Sequence, residues 1–200
     1  ALEFLDPGAD EENNDSGGAM FPTGSLVERV MIPGIGSLEA TLITAGLPTI
    51  YVDAASLGLV GTELQHHING DKELLARVET IRSHASVFFG LTKTAAESTA
   101  TRPHTPKLAY VAPPATYVSS GGQTVDAQSI DLLARVFSMG QLHHAMTGTG
   151  AISLAAAAAV PGTIVSRVRV PAPTVVFESD TLPVGWRSER RPSNGTAIGS

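Results

Sequence analysis

The stretch Ala145 to Val160 constrains the fold more than any other part of the chain. Strong helix formers follow the Thr147-Gly148-Thr149-Gly150 opening and end at Pro161-Gly162, a pattern that predicts a helix. Its apolar character runs all the way round, and a helix of that kind is expected to be buried on every side. At about 16 residues it is shorter than the roughly 20 needed to cross a bilayer, so the wrapping has to come from protein. The glycines and threonines leave first-turn N–H groups without intrahelical acceptors, and the helix dipole adds partial positive charge there. Such an end attracts anions. The plainer alternative is that the threonines only cap a core helix.

The chain's 200 residues, 42% hydrophobic and 16% charged, are enough for a sizeable core. A net charge of -6 without a basic cluster argues against nucleic acid or an anionic membrane surface as partner. No cysteine is present, which rules out a disulfide framework and thiolate chemistry within these residues and suits a reducing compartment. The sequence shows neither a signal-peptide pattern nor a transmembrane run. The expected setting is cytoplasmic, with the mitochondrion as the alternative.

Ala1 to Leu5 alternates like a strand, and Asp6-Pro7-Gly8 turns it into a polar loop from Asp10 to Gly18. Gly17 to Gly24 reads either as a ligand-facing loop or as a packed loop without a ligand. Leu26 to Ile32, Ser37 to Ile43 and Thr49 to Asp53 predict antiparallel strands. From Asp71 a helical pattern with Leu74, Leu75, Val78, Ile81, Arg82 and Ala85 on one face is expected to run into the Thr94 to Ser98 region, weakened at Gly90. Lys72, Glu73, Arg77, Glu79 and Arg82 read as its solvated face. Lys107 to Ala112 and Ile130 to Ser138 predict buried strands, and Thr163 to Val170, Thr174 to Phe177 and Thr181 to Val184 short ones. The last stretch, 187–200, is polar and is expected to be a disordered tail.

His143-His144 is the most concentrated titratable feature. On an extended segment the two rings are expected on opposite sides, so that at most one faces a ligand at the helix N-terminus. His66-His67 reads as a surface or capping feature. No His-x-x-x-His or acidic cluster accompanies either pair, so no metal is expected. Ser138 and Ser153 lack a nucleophile-elbow context. Gly148 and Gly150 do not continue into a dinucleotide fingerprint, because position 153 is Ser. Carboxylate recognition costs fewer assumptions than phosphate recognition.

Several segments together carry a family resemblance. Phe4-Leu5-Asp6-Pro7, Ala19-Met20-Phe21-Pro22-Thr23-Gly24, Ala45-Gly46-Leu47-Pro48-Thr49, Gly61-Thr62-Glu63-Leu64, His104-Thr105-Pro106-Lys107 and Ser138-Met139-Gly140-Gln141-Leu142-His143-His144-Ala145-Met146 resemble the PrpF (methylaconitate isomerase) family in order and spacing. The resemblance implies an α+β fold, one half of a diaminopimelate epimerase-like protein, with a curved, mostly antiparallel sheet wrapped around a central buried helix. Residues 1–186 would form the C-terminal domain, incomplete at both ends.

Members of this family are cofactor-independent isomerases of unsaturated di- and tricarboxylates, acting by allylic proton transfer. The resemblance puts Thr147, Gly148 and Thr149 on a substrate carboxylate, Ser138, Met139, His143, His144 and Met146 around the pocket, and Gly46 and Thr49 on the facing loop. The family's base, a lysine, and a cysteine belong to an N-terminal half. The three lysines here, Lys72, Lys93 and Lys107, do not replace them, so no catalytic residue is assigned in this chain. A His-Pro-Ser-Gly turn of the family is also lost around Phe177 to Val184. The expected partners are a small-molecule polycarboxylate and either a second copy or a base-bearing N-terminal half. The alternative is a catalytically silent carboxylate-binding module.

Overall fold

The computed structural model describes residues 20–169. The expected strand at Ala1 to Leu5, the Asp10 to Gly18 loop, the strands at Thr174 to Phe177 and Thr181 to Val184, and the 187–200 tail lie outside them.

Three strands open the described region: β1 (Glu28–Ile32), β2 (Gly36–Ala45) and β3 (Leu47–Asp53), antiparallel as their alternation requires. Gly46 makes the β2–β3 turn with φ +77°, a left-handed conformation that disfavours a side chain. A helical excursion follows, through α1 (Gln65–Gly70), α2 (Lys72–Phe88) and α3 (Ala95–Thr101). It returns the chain as β4 (Lys107–Ala112), parallel to β3. A small hairpin, β5 (Tyr117–Val118) with β6 (Thr124–Val125), leads to β7 (Leu133–Ser138) and the short β8 (Gln141–Leu142). The main sheet has the order β1-β2-β3-β4-β7-β8 and is antiparallel except at β3–β4.

Alternation along the buried strands sends side chains to two separate cores. Leu42, Ile50, Val52, Leu108, Tyr110 and Phe137 pack with Leu74, Val78, Ile81 and Ala85 of α2. Ile43, Ala45, Tyr51, Ala109, Val111 and Val136 face the other way, against α4 (Gly148–Ala159) and α5 (Ile164–Val168). Thr41 ties the second layer to the sheet edge: its hydroxyl donates to Leu26 O at 2.7 Å and accepts from Ile164 N–H at 2.9 Å.

Four expectations need correction. The long helix is two helices, because Gly90 takes φ +71° and Thr94 then caps α3 by accepting from Glu97 N–H. Arg82 belongs to no solvated face; it is 3% exposed. Residues after Thr163 form α5 rather than a strand, with the Thr163 hydroxyl accepting from Ser166 N–H as its cap. The central helix begins at Gly148, not Ala145, and buries one face through Gly150, Ser153 and Ala157. Ala151, Ala155 and Ala159 are exposed, so the described residues do not wrap it on every side. Small alanines lose little apolar contact there, which makes the open face tolerable.

Arg82 spends its donors inside the fold. Nε and one terminal nitrogen hold the Glu79 carboxylate at 2.7 and 2.6 Å, and the other reaches Ser98 Oγ, Arg102 O and Thr105 O at 3.1–3.2 Å. Burial works to raise the Glu79 pKa, but Arg82 and the Thr99 hydroxyl outweigh it and hold the carboxyl below its ordinary range. Arg82→Met is expected to cost about 3–5 kcal/mol in urea unfolding, because buried carbonyls and a carboxylate lose their partner. The depressed Glu79 pKa means that its contribution is full above the unfolded carboxyl value of about 4.3 and disappears as pH falls through the folded value. Glu79→Gln is therefore expected to flatten the acid limb of the stability profile.

Candidate carboxylate-binding site

Strand register brings three polar side chains into one row. Thr49 of β3 pairs with Lys107 of β4, and Leu108 pairs with Phe137, which sets Ser138 of β7 beside Lys107 on the other side. Each precedes or follows by two residues a side chain of the α4-facing core, namely Tyr51, Ala109 and Val136, so all three point to the α4 face. Lys107 Nζ donates to Ser138 Oγ at 2.5 Å. Burial, and to a lesser degree the Arg82 guanidinium, draw the Lys107 ammonium below its usual pKa. Thr49 is buried, its hydroxyl donating to Leu47 O at 3.2 Å.

The N-terminal turn of α4 lies over the same face. Thr147 caps it, its hydroxyl accepting from Gly150 N–H at 3.1 Å while its carbonyl accepts from Ala151 N–H at 2.8 Å. The N–H groups of Gly148 and Thr149 have no intrahelical carbonyl within reach and point away from the helix. The capping and anion-binding readings of this stretch are compatible, since one threonine caps and two N–H groups remain. A Cβ on Gly46 would sit 3.4 Å from Thr149 O, so the β2–β3 turn and the helix start are in close approach. The Tyr51 hydroxyl donates to Gly150 O at 3.5 Å. Burial pushes the phenol far up, with the Ser153 and Thr49 hydroxyls beside it opposing the shift, so Tyr51 is a neutral donor near neutral pH.

The residues assigned by resemblance divide into two groups. Gly46, Thr49, Thr147, Gly148 and Thr149 surround the helix start, with Ser138 on the row below. His143, His144 and Met146 line a cavity of about 240 Å³ beside β7, together with Arg135, Tyr117 and Glu63. Met146 links the two, since a Cβ on Gly150 would meet its sulfur at 3.2 Å. Met139 stands apart: it is 69% exposed at the β7–β8 turn with φ 53°.

The two histidine rings are not on opposite sides. They stack, with centroids 4.9 Å apart and planes at 24°, because β8 ends at Leu142 and the chain bends. His143 Nδ1 lies 2.7 Å from Ala145 O and 3.4 Å from Ala145 N, which fixes the ring against the bend. Among the described residues no three His, Asp or Glu side chains gather as a metal-binding group. His66 and His67 lie on α1 with ring centroids 3.9 Å apart. The Gly61-Thr62-Glu63-Leu64 motif is architectural: Glu63 accepts from Val60 and Gly61 N–H, and a Cβ on Gly61 would strike Ala112 at 2.7 Å. Sequence reasoning met Lys107 in the His104-Thr105-Pro106-Lys107 motif and weighed it as a base, but gave it no role, because its pairing with Ser138 depends on strand register.

This fold and site define a mixed α+β protein in which one helix N-terminus closely approaches the β2–β3 turn. The chain belongs to the PrpF family, whose model matches residues 1–189. It is 53% identical over 165 residues to the 2-methyl-aconitate isomerase of Shewanella oneidensis and 50% identical over 165 residues to that of Cupriavidus necator, covering 82% of this chain and 41% of each relative. A crystal structure of methylitaconate-delta-isomerase superposes with a TM-score of 0.75 at 32% identity, over 76% of this chain and 40% of that one. The chain thus spans about two fifths of the length of these relatives. Among the described residues no helix is long and apolar enough to cross a membrane.

Gly150→Ala tests the helix start. Its methyl would lie 2.8 Å from Thr147 Oγ1 and would displace the cap, at an expected cost of about 1 kcal/mol in urea unfolding. Faster amide exchange at positions 150 and 151 is the local signature.

Proposed function

We propose that this chain forms the carboxylate-holding side of an isomerase acting on unsaturated di- or tricarboxylates of the methylaconitate or aconitate type, without a cofactor. The observation that carries the reading is the α4 N-terminus, whose Gly148 and Thr149 N–H groups lack intrahelical acceptors, in close approach to the Gly46 turn that leads into Thr49. The named activities of the relatives support it: 2-methyl-aconitate isomerase for two of them and 3-methylitaconate isomerase for a third, from Eubacterium barkeri, at 35% identity.

In this reaction a proton leaves a carbon allylic to the substrate's double bond. The electron pair left behind spreads through the alkene onto a conjugated carboxylate, and a proton returns to the same or the far allylic carbon. Return after rotation changes geometry; return at the far carbon shifts the double bond. The carbanion is the high-energy species, and donors fixed in advance around the carboxylate stabilise it most as its charge grows. Gly148 and Thr149 N–H, with the helix dipole behind them, serve that role here. Ser138, His143, His144 and Met146 shape the surrounding wall, with Gly46 and Thr49 on the facing loop. The base that takes the proton is placed in the part of the relatives that this chain does not span.

The test is NMR in heavy water with cis-aconitate, trans-aconitate and 2-methylaconitate. Cis-aconitate is expected to shift the Gly148 and Thr149 amides of the chain. Deuterium is expected to enter substrate only when the complementary portion of the Shewanella relative is added. Exchange by the chain alone would move the base into these residues. Amide shifts with no exchange under either condition would leave a carboxylate-binding module, and Thr147→Ala is expected to weaken that binding by about threefold to tenfold through loss of the cap.

A further inference from the structure

We propose that Tyr51 is a positioning residue: from β3 its buried hydroxyl, with Ser153 beside it, holds the underside of the first turn of α4 and thereby aims the Gly148 and Thr149 N–H groups at their ligand. The inference rests on the α4 reading above and adds to it the side chains that preorganise the helix start.

The argument begins with two hydroxyls where packing alone asks for none. Tyr51 is 1% exposed and Ser153 0% exposed, both in the layer between the sheet and α4. Ser153 Oγ has no hydrogen-bond partner among the described residues. The Tyr51 hydroxyl meets Gly150 O at 3.5 Å, well beyond the roughly 2.7–2.8 Å typical of an O–H···O bond. Burying a hydroxyl without a well-made partner costs free energy, whereas a phenylalanine ring and an alanine methyl would fill nearly the same volumes without that cost. Stability therefore does not account for either group.

Their position does account for them. Gly150 stands in the first turn of α4, and Ser153 follows it by three residues on the same buried face. Burial raises the Tyr51 phenol, and the Ser153 and Thr49 hydroxyls are near enough to oppose that rise, so β3 and α4 share one buried hydroxyl cluster directly under the turn. Glycines at 148 and 150 leave this turn the freest part of the helix. Thr147 restrains Gly150 through its N–H, at 3.1 Å, and Tyr51 restrains the same residue through its carbonyl. One residue of a loose turn is thus held at both its donor and its acceptor. Donors aimed before the ligand arrives bind it at lower cost than donors that must be ordered by it.

The experiment compares the wild-type chain with Tyr51→Phe and Ser153→Ala, by cis-aconitate titration read at the Gly148 and Thr149 amides and by urea unfolding. Tyr51→Phe is expected to weaken binding by about threefold to tenfold, the range of one neutral hydrogen bond, with a urea midpoint equal to or above that of the wild type. Ser153→Ala is expected to weaken it less, again without loss of stability. A hydroxyl with a merely structural role gives the reverse pattern, a lower urea midpoint and an unchanged affinity of the folded chain, and that result overturns the inference. The second measurement is on the wild type, where the Tyr51 hydroxyl proton is assigned through its contact to the ring and to Gly150 Hα. Saturating cis-aconitate is expected to move it downfield as the contact to Gly150 shortens. A hydroxyl proton that stays fixed while the Gly148 and Thr149 amides shift overturns the role of Tyr51 and spares the α4 reading. Amides that do not shift in the wild type sink both. Where Tyr51→Phe loses stability together with affinity, or does not fold, the wild-type hydroxyl proton decides.

Discussion

The buried guanidinium of Arg82 is the interaction on which the rest of the structure depends. From α2 it bonds Glu79 on its own helix, Ser98 on α3 and the carbonyls of Arg102 and Thr105. Those carbonyls belong to the segment that enters β4, so one side chain fixes where the parallel strand begins. An arginine suits the task because its planar fork meets several acceptors at once, which a lysine cannot do. With its partners in place the buried charge is tolerable; without them it would have to be expelled. The start of β4 is in turn the position of Lys107, and through it of the Ser138 contact.

That constraint divides the molecule into a scaffold and a working face. The α2 side of the sheet is filled with large aliphatic residues and carries Arg82 at its margin. The α4 side is built from smaller residues, with Ala45, Ala109 and Ala157 in its core, and this lets a helix lie close. Close approach at the β2–β3 turn needs Gly46, since φ +77° and the nearby Thr149 carbonyl leave little freedom for a side chain. The β2–β3 turn and the helix start thus meet because small residues permit the distance. The large residues opposite hold the sheet that sets it.

Elements with a strong period were legible from the sequence. The strands at Glu28, Gly36, Leu47 and Leu133 followed alternation, the one at Lys107 read as a continuous buried run, and α2 followed its helical stripe. What escaped depends on tertiary context. Arg82 carries the same residue type as a solvated charge, and only the Ser98, Arg102 and Thr105 acceptors brought over it by α3 and its loop explain its burial. Thr163 to Val168 is β-branched enough to read as a strand, yet the Thr163 hydroxyl reaches Ala157 O and Ser166 N–H and starts a helix instead. The stacked His143 and His144 rings depend on β8 ending early. In the site, the Thr-Gly helix opening was visible because its signal is local. Lys107 was not, because its meaning lies in the register that places Thr49 on one side and Ser138 on the other.

The charge distribution gives this register its chemical consequence. The chain as a whole carries a net charge of -6, so its long-range field repels anions. Screening confines that repulsion to about 8–10 Å at physiological ionic strength, and recognition then depends on what lies within hydrogen-bond reach. There the face presents an ammonium, two helix N–H groups and neutral hydroxyls, with Tyr51 kept protonated by burial. The same arginine that fixes the strand therefore also sets where the Lys107 ammonium and the Ser138 hydroxyl stand on the opposite face of the sheet.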